Sequence, residues 1–90
     1  MNIIKTNIPS ALNVLFLDVM VSEFIEKYGI TPNTLRLSIL LYADLFYMKD
    51  DRRFLEILYK VFSNIDVDLS MRKRNWALVN GNNILLIEYE

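Results

Sequence analysis

The first long periodic segment of the chain predicts a helix from Ser10 to about Tyr28. Its apolar residues recur three and four positions apart, which places them on one helix face: Val14, Leu17, Val21, Phe24, Ile25 and Tyr28. Ser10 is a good N-terminal cap, and Gly29 tolerates the left-handed conformation that ends many helices. Four further apolar residues widen this stripe: Leu12, Phe16, Val19 and Met20. We expect these four either in the core or at a subunit interface.

The stretch from Gly29 to Phe46, GITPNTLRLSILLYADLF, admits two interpretations. In the first, the glycine ends one helix, and a second helix over Thr31–Ile39 reads DNA as in a helix-turn-helix. Ile25 and Ser38 disfavour this interpretation, because that motif needs a small residue at the first position and an apolar one at the second. Arg36 is the one basic residue of the reading helix, whereas base readout and phosphate contact need several polar and basic side chains.

The second interpretation fits the same residues better. Thr34–Ser38 alternates with a period of two, which places Leu35 and Leu37 on one face of a strand and Arg36 on the other. Ser38 then caps a second helix, whose apolar face carries Leu41, Leu45 and Met48. We therefore predict a strand followed by a helix, and the DNA-binding regulator is the alternative.

A third helix is predicted after Met48. Apolar residues again recur at helical spacing: Phe54, Leu55, Leu58, Val61 and Phe62. Asp50 and Asp51 lie at the N-terminal end, where the helix dipole favours negative charge. We expect Asn64 to end this helix.

The last third of the chain predicts three strands. Ile65–Leu69 alternates apolar and polar residues, as a half-exposed strand does. Trp76–Val79 and Ile84–Ile87 are continuous apolar runs on either side of Asn80-Gly81-Asn82-Asn83, which is a strong β-hairpin signal. Continuous apolarity suggests that both faces of this hairpin are covered.

These elements predict one α+β domain over residues 1–90. Its expected order is an N-terminal helix, a short strand, two helices and three C-terminal strands that end in a β-hairpin. We expect the helices to pack on a small sheet. The opening Met1–Ile8 is too short to assign, although Ile3, Ile4 and Ile8 suggest that it packs against the domain.

Part of this pattern resembles the A domain of tailed-phage major capsid proteins and of encapsulin shell proteins. The residues that carry the resemblance begin at the glycine turn and continue into the following strand and helix: Gly29, Pro32, Asn33, Thr34, Leu35, Leu37, Ser38, Tyr42, Ala43 and Leu45. The order of the later elements is similar to that family over about Val14–Tyr89. Ile39 and Asn64 depart from it, since the family often has proline and glycine at these positions.

The resemblance implies an isolated A domain. A chain of 90 residues leaves no room for the peripheral domain, the extended loop or the N-terminal arm with which shell proteins lock their neighbours together. The resemblance therefore does not imply a closed shell.

The composition narrows the function classes. Apolar residues make up 53% of the chain, above the usual range for soluble domains, and surplus apolar surface is normally covered by a partner or a second copy. The 10 basic and 11 acidic residues leave a net charge of −1, which disfavours a dedicated nucleic-acid binder. The chain has no histidine and no cysteine, so it lacks the commonest general base and the best nucleophile. No uncharged run reaches the roughly 20 residues that cross a bilayer.

Three groups of polar residues are candidate sites. Asp66 and Asp68 point the same way from one strand and could share a hard cation, although a solvated strand face explains them better. Arg72, Lys73 and Arg74 could contact phosphates or an acidic patch on a neighbouring subunit. The hairpin residues Asn80 and Asn82 would lie beside them at the rim of an interface.

Together these observations predict a non-enzymatic structural or protein-interaction module. We expect it to act by self-association or by docking to a partner protein in the cytoplasm. No metal, cofactor, nucleic acid, membrane or small-molecule substrate is expected.

Overall fold

The computed structural model describes residues 2–6, 14–47, 52–71 and 73–89. In chain order, the elements of these ranges are β1 (Asn2–Thr6), α1 (Val14–Tyr28), β2 (Thr34–Ser38), α2 (Ile39–Tyr47), α3 (Arg52–Val61), β3 (Asn64–Asp68), β4 (Trp76–Asn80) and β5 (Asn83–Tyr89). The α+β class is confirmed. The expected order of elements was incomplete, because it lacked β1.

The five strands form one mixed sheet in the order β1-β5-β4-β2-β3. β1 runs parallel to β5, and β3 runs parallel to β2. The hairpin strand β4 is antiparallel to both β5 and β2. The edges of the sheet are therefore β1 and β3, and the first strand of the chain pairs with the last.

One face of this sheet, which we call the first face, forms the core. Strand register places leucine beside leucine across the centre, with Leu35 next to Leu78 and Leu78 next to Leu85. Trp76, at 1% exposure, lies in the adjacent row. All three helices contribute buried side chains to the same cluster: Leu17, Met20, Phe24, Leu41, Leu45, Phe54 and Leu58. Phe62, directly after α3, belongs to the cluster as well. The helical layer therefore lies on the first face.

The opposite, second face carries no helical layer among the described residues. Its apolar part lies on β4 and β5, where Ala77 and Val79 pair with Leu86 and Ile84. On the other side, the same β4 residues pair with Arg36 and Thr34 of β2. Both β4 residues are buried without belonging to the core cluster. The expectation that both faces of the hairpin are covered therefore holds for β4, whereas Ile84 and Leu86 of β5 stay partly exposed.

The turns follow the local chemistry. Gly29 has a φ of 71°, and its N–H donates to the Ile25 carbonyl at 2.7 Å, which ends α1 as predicted. Ser38 caps α2, because its Oγ accepts a hydrogen bond from Leu41 N at 3.2 Å. In the hairpin, Asn80 pairs with Asn83, so the two loop residues are Gly81 and Asn82. Gly81 adopts the left-handed φ of 62° that the tight loop requires.

Two expected boundaries were wrong. Asn64 does not end the third helix, which stops at Val61; instead, Asn64 begins β3, and its N–H donates to the Asn33 carbonyl at 3.2 Å. Leu69 lies beyond β3 and is 78% exposed, because the strand ends at Asp68. Ser10, Met48, Asp50 and Asp51 lie outside the described residues.

Candidate interaction surfaces

Three of the four apolar residues that widen the α1 stripe are described, and these three do not form one surface. Met20 is 5% exposed and belongs to the core, so it is not available to a partner. Phe16 is partly buried and meets Trp76 edge to face, with ring centroids 6.1 Å apart. Val19 is exposed, but Ser22 and Glu23, which lie one turn further along α1, are polar. Leu12 lies outside the described residues. Val19 is therefore the one exposed member of this group among the described side chains, and the residues one turn beyond it are polar.

The outer side of α2 is apolar instead. This helix of 9 residues carries one charged side chain, Asp44. Leu41 and Leu45 enter the core, while Ile39 and Leu40 on the outer side are 42% and 49% exposed. Ala43, which is partly exposed, lies one turn beyond Ile39. A surface helix ordinarily carries charged and polar residues on its outer side, so this apolar outer side is unusual.

Sequence reasoning placed the candidate interface on α1 and missed α2. A signal was present, because Asp44 is the one charged residue between Arg36 and Lys49. Only the structure shows which side of that apolar segment the sheet leaves uncovered.

Two polar contacts flank α2. On one side, Asp44 forms an ion pair with Arg74 from the β3–β4 connection. On the other side, the negative charge that Tyr59 of α3 carries when it is ionised raises the pKa of Tyr42, and burial and a side-chain hydrogen bond with Tyr59 act in the same direction. The ion pair is solvent-exposed and worth at most about 1 kcal/mol. These contacts orient α2 and leave its outer side apolar.

The two described residues of the basic connection, Lys73 and Arg74, differ in their surroundings. Arg74 is engaged by Asp44, and Arg72 lies outside the described residues. Lys73 is exposed, with a left-handed φ of 57°. The role of this segment in the described structure is to tie the β3–β4 connection to α2.

The two hairpin asparagines differ in their contacts. Asn80 Nδ2 donates to the Thr31 carbonyl at 2.8 Å, which fastens the hairpin to the turn after α1. Asn82 is exposed in the loop.

The acidic strand does not form a cation site in the described residues. Ser70 donates to Asp68 Oδ1 from its hydroxyl at 2.6 Å and from its N–H at 2.8 Å. These bonds lower the pKa of Asp68, and the Arg36 charge contributes in the same direction. Asp66 is exposed beside it. Among the described residues, no group of three or more histidine, cysteine, aspartate or glutamate side chains could hold a metal ion.

Opposite charges face each other near both edges of the sheet, on the second face. Lys5 of β1 is in register with Glu88 of β5. Arg36 of β2 is in register with Asp66 of β3. The edge strand β1 therefore carries a positive charge next to a negative charge on β5. The edge strand β3 carries a negative charge next to a positive charge on β2.

The helix-turn-helix interpretation is wrong for Thr31–Ile39. Thr34–Ser38 is a central strand, paired with β3 and β4, so no helix over these residues can enter a DNA groove. None of the three described helices has the length and apolar character needed to cross a lipid bilayer. Comparisons of the chain with protein-family models, with curated proteins and with solved structures find no match.

Proposed function

We propose that this protein is a non-enzymatic structural or protein-interaction module, similar to a capsid or encapsulin A domain, that acts by self-association or by docking to a partner protein. The cytoplasmic location expected from the sequence belongs to the same proposal. The element order over Val14–Tyr89 that carries the resemblance is part of it as well.

The observation that carries the proposal is the outer face of α2. Ile39 and Leu40 are exposed on a helix that has one charged residue, and that residue is engaged by Arg74. Covering such a face with a protein surface removes apolar area from water, at roughly 25 cal/mol per Å². A patch of this kind on a small domain is typical of an interaction site.

Size-exclusion chromatography with multi-angle light scattering tests self-association. We expect the mass of the wild-type protein to rise between about 1 and about 100 µM, the range in which a micromolar Kd becomes visible. Ile39→Glu should shift the protein toward the monomer, because it places a charge on the apolar face. The first turn of a helix tolerates a negative charge, so α2 should still form.

Val19→Glu is the matched control, since Val19 is a similarly exposed apolar residue on a helix. It should leave the mass unchanged. The emission of Trp76, the one tryptophan of the chain, verifies that both variants keep the core intact. A wild-type protein that stays monomeric and captures no partner protein would contradict the proposal.

A further inference from the structure

We propose that copies of this protein associate head to tail through the two edges of the sheet, with β1 of one copy adding in parallel to β3 of the next. The inference rests on the self-association in the proposed function and names its partner, a second copy of the chain. It concerns the sheet edges, which are a surface separate from the outer face of α2, and the two contacts add in one assembly.

The backbone direction of the two edges permits this pairing. β1 and β3 have 5 residues each. β1 is parallel to β5, β5 and β2 are both antiparallel to β4, and β3 is parallel to β2, so the two edge strands run the same way. Within the described residues, each pairs with a single neighbour. An edge strand presents a row of backbone donors and acceptors on its outer side, ready for a further strand.

Charge complementarity sets the register on the second face. Placing Lys5 of one copy beside Asp66 of the next gives a row of four alternating charges across the junction. The row runs from Arg36 through Asp66 of one copy to Lys5 and Glu88 of the other, and the two inner registers already exist within each copy. Opposite charges on neighbouring strands stabilise their pairing.

The same register matches the first face. It puts Ile4 of one copy beside Ile65 of the next, since each residue precedes the paired charge by one position. Both isoleucines are partly buried and pack at the margins of the core. Joining the edges would cover the apolar surface that each margin leaves open.

The helices above the two edges add apolar surface. Ile25 lies nine residues from Phe16, which at about 100° per residue puts it on the opposite side of α1, away from Trp76 at the centre of the sheet. Ile57 and Val61 lie on the side of α3 opposite Tyr59, which faces α2. These exposed isoleucines and this valine face outward from the two edges of the helical layer.

Pairing of like edges is disfavoured for β3. An antiparallel β3–β3 contact centred on the strand would put Asp66 opposite Asp66 of the second copy, and like charges directly opposite are destabilising. Pairing of unlike edges uses different surfaces on the two copies. Such contacts build a ring where the rotation closes and a filament where it does not.

Disulfide trapping tests the pairing, and the cysteine-free chain makes it clean. The Lys5→Cys and Asp66→Cys variants are mixed while reduced and then oxidised. Neighbouring strands are about 4.8 Å apart, within the Cα separation that a disulfide spans. Intact-mass spectrometry should find the mixed disulfide as the main product. Either variant alone should give little dimer, and Val19→Cys mixed with Asp66→Cys controls for random collision.

A variant that removes one charge measures how much the charge row contributes to self-association. Lys5→Gln should weaken self-association about two- to five-fold, as expected for one cross-strand ion pair, while Lys27→Gln on α1 should not. A wild-type oligomer that gives no mixed disulfide, or a Lys5→Cys dimer that forms as readily as the mixed one, overturns the edge pairing and leaves the proposed function standing. A wild-type protein that stays monomeric overturns the edge pairing and the self-association together.

Discussion

Strand β4 is buried on both faces, but different surroundings cover each face. Trp76 and Leu78 on the first face belong to the cluster that the three helices fill. Ala77 and Val79 on the second face lie between side chains of the neighbouring strands. The exposed fractions of the two side chains, 0% for Leu78 and 6% for Val79, do not show this difference. Low exposure therefore does not imply equal packing, and the two faces should respond differently to the same kind of substitution.

The largest expected effect is the difference in the free energy of unfolding between the alanine variants of Leu78 and Val79. Leu78→Ala should lower the free energy of unfolding by about 2–5 kcal/mol, because it leaves a cavity among helices and strands that cannot fully relax. Val79→Ala removes two methyl groups from the open face and should cost about 1–2 kcal/mol. Urea unfolding followed by Trp76 fluorescence, at one fixed protein concentration, measures both. Losses in proportion to the three carbons removed from Leu78 and the two removed from Val79 would mean that the second face is packed as tightly as the first.

A smaller effect is expected from a buried polar group at the end of β2. Ser38 is fully buried, and its Oγ caps α2. Ser38→Ala should cost about 1 kcal/mol through the loss of the cap, whereas Thr would retain the hydroxyl. Thermal unfolding of the Ala and Thr variants makes the comparison. If Ser38→Thr loses as much thermal stability as Ser38→Ala, the space available at this position, and not the cap, determines the stability of the variants.

The smallest expected effect is the contribution of Asp68 to stability, which should depend on pH. The pKa of Asp68 is lowered in the fold by Ser70, so its contribution to stability is present above the unfolded pKa, near 3.8, and is lost as pH falls through the lower folded value. Asp68→Asn should therefore be less stable than the wild type at neutral pH, and the difference should shrink in acid. Asp66→Asn is the matched control on the same strand face. A difference for Asp68→Asn that stays constant down to acid pH would contradict this account.

Local signals predicted much of the fold. The strand over Thr34–Ser38 and the hairpin each follow from a period of two next to a turn residue, so a few neighbouring residues suffice. β1 has no such signal, because its partner β5 lies at the other end of the chain. A pairing between strands so far apart in the chain cannot be predicted from local sequence and becomes visible only in the folded sheet.

The candidate surfaces were harder to predict for a related reason. The wide apolar stripe of α1 suggested a second contact surface, yet Met20 and Phe16 turn inward because the helix packs toward Trp76. On α2, Leu41 is buried on the predicted apolar face, but the opposite side of the helix is apolar as well, and Ile39 there is exposed. Periodicity identifies an apolar face and does not say how much of it the rest of the chain covers.

The pairing of Asn2 with Leu85 has a consequence for synthesis. Translation at about 5–20 residues per second leaves β1 outside the ribosome for several seconds before β5 exists. During that interval the strand NIIKT has no place in the sheet, although β2 and the segments after it can already begin to assemble. β1 is therefore synthesised well before its partner and pairs with it only after β5 has left the ribosome.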